Sequence, residues 1–226
     1  MANPEHVAIL KQGVEAWNDW REESLDEVPD LSGIDLAGAD LQGIILAGGS
    51  LDGACFEGAN LAGADLSGCS IEGANLSGAN LARVRFDDAI IYTSNFQRAD
   101  LSESVFEGAS IKKTDFTNAT LCKANFFEAK MISVCLKGAN LTGAFVEDAY
   151  LAGADLAEAT VAGAKFAGAD LEGANLFLSD LNKADFTGAD LTEANLSDAF
   201  CTAACFDKAR LPEGFTPPSD EDDTTT

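Results

Sequence analysis

The chain has 226 residues, and 38 Asp plus Glu against 14 Lys plus Arg give it a formal charge of −24. That balance works against binding nucleic acid or an anionic membrane and favours basic protein surfaces, and no apolar run is long enough for a membrane span. The single histidine, His6, rules out Cys–His and Ser–His catalytic pairs and any metal site built on several imidazoles.

The chain opens on Met1-Ala2-Asn3-Pro4-Glu5, with neither the basic nor the apolar part of an export signal. Asn3 is placed to cap a helix that has Pro4 at its first position and Glu5 in its first turn. Val7, Leu10, Val14 and Trp17 then recur on one apolar stripe, extended by Trp20. The spacing predicts one helix running to about Arg21.

Every fifth residue from Leu31 to Leu211 is large and apolar, 37 positions in one frame with no insertion; Met131 and Cys201 are the atypical members. Two residues before each the side chain is usually Ala, as in Ala54, Ala59 and Ala64. Asp or Asn often comes just before the large residue, as in Asp65, Asn75, Asn80 and Asp170, and Gly follows two after it without interruption from Gly33 to Gly78. A period of five fits neither a helix nor a strand, so it belongs to the path of the backbone. Five residues then form one side ending in a corner. The large residue and the small one point inward, and Asp, Asn and Gly suit the turn.

The phenylalanines count the sides. Nine hold the large inward position: Phe56, Phe86, Phe96, Phe106, Phe116, Phe126, Phe166, Phe186 and Phe206. All fall on alternate sides, which requires an even number of sides per coil. Two sides leave no room for the inward pairs, so four sides and about twenty residues per coil are expected, with a narrow close-packed core. Stacked coils would share ladder hydrogen bonds.

Runs such as Ala74-Asn75-Leu76-Ser77-Gly78 and Ala169-Asp170-Leu171-Glu172-Gly173 resemble the pentapeptide repeat family, whose pattern is A(D/N)LXX, over about 185 of the 226 residues. The resemblance implies an all-β solenoid, a right-handed quadrilateral β-helix of about nine coils and on the order of 45 Å long at roughly 4.8 Å per coil. It implies no single function. The expected organisation is a capping helix over residues 1–25, the β-helix over 26–215 and a disordered acidic tail over 216–226. Pro29 at the first side would discourage edge pairing, and Phe215 is free to cover the last coil. Six cysteines are spaced for reduced thiols, since Cys69 and Cys201 point inward while Cys55 and Cys135 lie about 19 Å apart by coil spacing. A cytoplasmic monomer is expected.

No phosphate-binding or other cofactor fingerprint occurs, since the glycines recur every five residues as corners; an enzyme is not expected. Outward positions are plain up to Leu81, decorated from Arg83 to Tyr150 and plainer afterwards. Stacked by twenties, Asp87, Asp88, Glu107, Glu128, Glu147 and Asp148 share one side with outward Val105, Phe127 and Phe145. The next side carries Ile90, Tyr92, Ile132 and Tyr150, with Lys112, Lys113 and Lys130 between them. Exposed apolar residues rimmed by charge mark contacts, so these two sides are the candidate binding surface for a protein partner with a basic face. The first expectation is a non-enzymatic interaction scaffold. The alternative comes from the resemblance: some members mimic DNA, bind type II topoisomerases such as gyrase, and protect against quinolones. Six carboxylates over about 14 Å give one per roughly 2.4 Å, near the 1.7 Å per charge of duplex DNA. However, those members typically carry projecting loops, and this frame has no insertion.

Overall fold

The computed structural model describes residues 1–217; the expected tail, from Pro218 onward, lies outside the described residues. Two helices, α1 (Pro4–Leu10) and α2 (Val14–Glu23), precede a coil that returns to the same side every twenty residues. Parallel bridges pair Asp30 with Ser50, Asp35 with Cys55, Asp40 with Asn60 and Ile45 with Asp65, and the same offset holds up to Asp190 with Arg210. Four bridges in each turn of the coil define four sides, an even number as the phenylalanine spacing requires. On one side the pairing widens into a parallel sheet of β1 (Ser70–Glu72), β2 (Ile90–Tyr92), β3 (Ser110–Lys112) and β4 (Lys130–Ile132), in that order.

Most corners are four-residue turns; those after β1–β4, at Gly73, Thr93, Lys113 and Ser133, have no such closing bond among the described residues, and the Ala74 N–H donates instead to Ser94 Oγ at 3.1 Å. In the first turn, the Ile34 N–H donates to the Leu31 carbonyl at 3.1 Å, with Gly33 at φ +68° as its third residue. A left-handed third residue is the mark of a type II turn and explains the glycine. The Asp or Asn before each large residue accepts the N–H two residues on, as Asp65 Oδ1 does from Ser67 at 3.0 Å and Asp115 Oδ1 from Thr117 at 2.8 Å. That is the Asx bond that selects these residue types here. Between coils, Asn side chains ladder along one column: Asn60 Nδ2 donates to Asp40 Oδ1 at 2.8 Å and Asn80 Nδ2 to Asn60 Oδ1 at 2.9 Å.

The inward residues form one continuous core. Phe86, Phe106 and Phe126 stack on one wall with centroids 4.6 and 4.7 Å apart, and Phe96 and Phe116 stack on the opposite wall at 5.0 Å. Phe106 meets Phe116 edge-on at 6.3 Å. Offset stacks and edge contacts are the favoured aromatic geometries, so alternate-side phenylalanine follows from two facing walls filled in register. At the far end Phe215 packs edge-on against Phe206 at 5.7 Å.

The single N-terminal helix expected to about Arg21 is instead two. Gly13, at φ +109°, caps α2 and turns the chain after Leu10. The turn aims both helices at the rim of the first coil, whose outward ladder groups have no coil before them. The Asn3 N–H donates to the Asp30 carbonyl at 3.0 Å, and the Asp30 N–H donates to His6 Nδ1 at 2.9 Å. On a second side, Trp17 Nε1 donates to the Ile45 carbonyl at 2.8 Å, Asn18 Oδ1 accepts the Ile45 N–H at 2.9 Å, and Arg21 donates to the Ala47 carbonyl at 3.1 Å. Asn18 Nδ2 also donates to the Gly43 carbonyl at 3.0 Å, at the corner after Leu41, while Ile34, Leu36 and Ala39 stay half-buried.

Candidate protein-interaction surface

The side carrying Phe86, Phe106, Phe126 and Val146 brings together the predicted carboxylates, because its outward positions stack every twenty residues. Glu107, Phe127 and Glu147 follow one another in one column, Val105, Asn125 and Phe145 in a second, and Asp88, Gly108, Glu128 and Asp148 along the corner. Between the first two columns runs a groove of about 490 Å³, walled by Val105, Phe127 and Phe145 and rimmed by Glu103, Glu107 and Glu147. Phe145 stands 38% exposed, while Val105 and Phe127 are half-buried.

The carboxylates are not equivalent. Asp87 is ion-paired with Arg85, whose Nε lies 3.1 Å from its Oδ2 and whose other arm reaches Asp65 at 3.3 Å. Asp88 and Asp148 lean along the corner column over Gly108 and Gly168, close enough that a Cβ on either glycine would meet a carboxylate oxygen. Glu107, Glu128 and Glu147 take part in no ion pair among the described residues.

On the adjoining side, the sheet β1–β4 presents Ile90, Ile132 and Tyr150, each between 46 and 49% exposed. Tyr92 is half-buried, its hydroxyl 3.3 Å from Ser110 Oγ. Lys112 separates Tyr92 from Ile132 in one column, and Lys130 precedes Tyr150 in another. The twelve predicted residues thus occupy two adjoining sides, but the apolar ones form two separate clusters divided by the acidic corner.

Several neighbours escaped the sequence reading. Glu103 and Lys123 line the groove from its far corner, and Lys165 places its Nζ 4.8 Å from the centroid of the Phe145 ring. Extending the twenty-residue stacking by one step in the Phe145 column would have found Lys165. Leu178 and Phe200 are exposed at 41 and 59% beyond the decorated stretch. One coil beyond Tyr150, Asp170, Glu172 and Asp190 bring three carboxylates together. Asp190 is held below its usual range by hydrogen bonds from the Thr192 hydroxyl and N–H, with Arg210 beside it at 2.7 Å. All six cysteines are free thiols, and among the described residues no helix is long and apolar enough to cross a membrane.

A coil of four five-residue sides around a core of stacked large residues defines a repeat solenoid. Family models agree: one for a pentapeptide repeat region matches residues 39–116, and one for pentapeptide repeats matches residues 104–143, 135–173, 147–182 and 174–211. The chain belongs to the pentapeptide repeat family, and its fold is the right-handed quadrilateral β-helix. Among solved structures it is similar to a trypsin-treated variant of QnrB1, a plasmid-mediated fluoroquinolone resistance protein. The identity is 27%, with 76% of this chain and 89% of that one covered and a TM-score of 0.67. It is also similar to HetL, a pentapeptide repeat protein involved in heterocyst differentiation regulation from the cyanobacterium Nostoc sp. strain PCC 7120. There the identity is 25%, the coverage 88 and 98%, and the TM-score 0.48. No curated protein sequence matched the chain.

Proposed function

We propose that the chain is a non-enzymatic scaffold that docks a protein partner on the coils from Arg83 to Tyr150. The observation that carries this reading is the contrast between that stretch and the plain coils from Leu31 to Leu81, which expose no large apolar side chain. Phe145, Ile90, Ile132 and Tyr150 are exposed there, beside Glu107, Glu128 and Glu147, which take part in no ion pair among the described residues. Exposed apolar residues rimmed by charge mark contact surfaces, and aromatic residues are enriched at interface centres. A basic partner would be drawn in by the carboxylates, with no role for nucleic acid, membrane or cofactor. Free thiols accord with a cytoplasmic rod, and helices that cover the edge of the first coil accord with a monomer.

The test is a pull-down from native lysate with three baits. These are the wild type, an Asp87/Asp88/Glu128/Asp148 charge-neutralised variant, and a Tyr92→Ala/Phe127→Ala/Phe145→Ala variant. A partner lost from either folded variant is the expected result. A partner kept by both, yet lost when plain coils between Gly33 and Gly78 are altered, would move the site to the other end of the rod. A second reading, DNA mimicry toward a type II topoisomerase, is favoured by the likeness to QnrB1 and opposed by the uninterrupted frame, which has no projecting loop. Inhibition of gyrase supercoiling by the purified protein separates the two readings.

A further inference from the structure

We infer that the groove walled by Val105, Phe127 and Phe145 is a receptor for an extended basic peptide, whose cationic side chains lie against the Phe127 ring between Glu107 and Glu147. This rests on the scaffold reading and specifies what that surface takes. Carboxylates alone would attract any counterion. Here they border a groove of about 490 Å³ with apolar walls, and apolar walls favour a ligand with carbon to bury. The structure already displays the pairing at the edge of this groove: Lys165 sets its ammonium 4.8 Å from the Phe145 ring centroid. A cation over an aromatic face is attracted by the ring quadrupole, and guanidinium groups use this contact more often than ammonium groups do.

Phe127 has no such partner from this chain among the described residues. It lies between Glu107 and Glu147 in one column, and those two carboxylates have no ion pair among the described residues. Lys123 stands near Glu103 on the opposite rim, which biases incoming cations toward the Glu107–Glu147 wall.

Spacing selects the conformation of the peptide. Glu107 and Glu147 are two coils apart, roughly 10 Å at the inter-strand distance. An extended β-strand repeats a face every two residues, roughly 6.6 Å, and misses that spacing. A polyproline II segment repeats a face every three residues, about 9.3 Å, and matches it. The occupant is therefore a segment with basic residues three apart and apolar or prolyl residues between them, running along the rod axis.

The experiment is fluorescence anisotropy on the full-length protein with a labelled peptide of three Arg-Pro-Pro repeats, at about 50 mM salt. Saturable binding is expected. It should weaken about ten-fold or more with Phe127→Ala and with the Glu107→Gln/Glu147→Gln pair, and about three-fold with Phe127→Leu, which keeps the apolar wall but removes the ring. Leu178→Ala/Phe200→Ala, exposed beyond the decorated stretch, should leave it unchanged, and a Glu-Pro-Pro peptide should not bind. Absence of binding, or equal affinity for wild type and the groove variants, overturns the assignment. In that event a lysate partner still lost from the wider surface variants would leave the scaffold reading standing.

Discussion

The plain stretch from Gly33 to Gly78 and the decorated stretch from Arg83 to Ser133 share one backbone and differ in what they hang on it. In the first, every corner is glycine, with φ between 63 and 72°. In the second, every corner except Gly108 carries a side chain, yet φ stays between 51 and 60°. A left-handed conformation at a non-glycine residue costs on the order of 1 kcal/mol. The middle of the rod bears that cost corner after corner without changing shape. Inward positions and ladder bonds therefore dictate the coil, and outward positions are free to answer to something else. Val105 and Phe127 of the groove lie within these coils, while its Phe145 lies just past the glycine corners Gly138 and Gly143; non-glycine corners recur farther on, at Glu158, Leu178 and Lys183.

If both stretches share one core, the largest effect should come from the core itself. Phe106 is fully buried between Phe86 and Phe126. Phe106→Ala should cost about 3–5 kcal/mol by chemical denaturation, because a narrow solenoid held by ladders on four sides cannot collapse around the cavity. Ala109→Leu, also fully buried, should be disruptive by overpacking, costing about 1–3 kcal/mol. A neutral outcome for either would mean that the inward column is not packed as described.

Corner exchanges address the comparison directly. Gly53, at φ +67° with open space where a Cβ would go, should lose about 1 kcal/mol on Gly53→Ala, from backbone strain alone. Lys113, at φ +52°, should gain about 1 kcal/mol on Lys113→Gly, less the entropy that glycine adds to the unfolded chain. Gly108→Ala should cost more than Gly53→Ala, because its Cβ would lie 2.8 Å from Asp88 Oδ1. The excess should vanish in an Asp88→Ala background, since removing that carboxylate removes the clash. If Lys113→Gly destabilises the rod, the decorated corners are structural and the contrast loses its functional meaning.

Much of this was readable in the sequence because the repeat converts position directly into direction. A strict five-residue frame assigns inward and outward residues without any helix or strand propensity; Phe parity gave an even number of sides, and the room needed for the inward pairs made it four. The break at Gly13 was hidden because the apolar stripe of Val7, Leu10, Val14 and Trp17 runs on across it; the glycine's φ of +109° is a backbone fact that periodicity does not carry. His6 was visible only as the sole histidine, and nothing local announces that its ring would accept the Asp30 N–H. The candidate surface was readable as columns but not as a groove. Its depth depends on side-chain partners twenty residues away, such as Lys165 covering Phe145, while Arg85 neutralises Asp87 from its own side.

The smallest expected effect tests the plain stretch from inside. Cys69 takes an inward position where Ala is usual; it is fully buried, and its thiol donates to the Leu46 carbonyl at 3.1 Å. Burial pushes that thiol up to about 12, opposed only partly by nearby N–H groups at Gly49 and Gly48. In the unfolded chain a thiol ionises near pH 8.5. The native state thus holds the proton more tightly than the unfolded state, so this contribution to stability is whole below about pH 8.5 and is lost as pH rises toward 12. Cys69→Ala removes the group. It should cost less than about 1 kcal/mol at neutral pH, and it should flatten the alkaline limb of the stability profile relative to wild type. Cys122, on the decorated coils, is only half-buried and its pKa is raised by burial and then by Asp100. With native protein at pH 8, a thiol reagent should modify Cys122 while leaving Cys69 untouched until the rod unfolds. Labelling of Cys69 at the rate of Cys122 would show that the plain coils open locally, and the core would then be tighter under the decorated surface than beneath the smooth one.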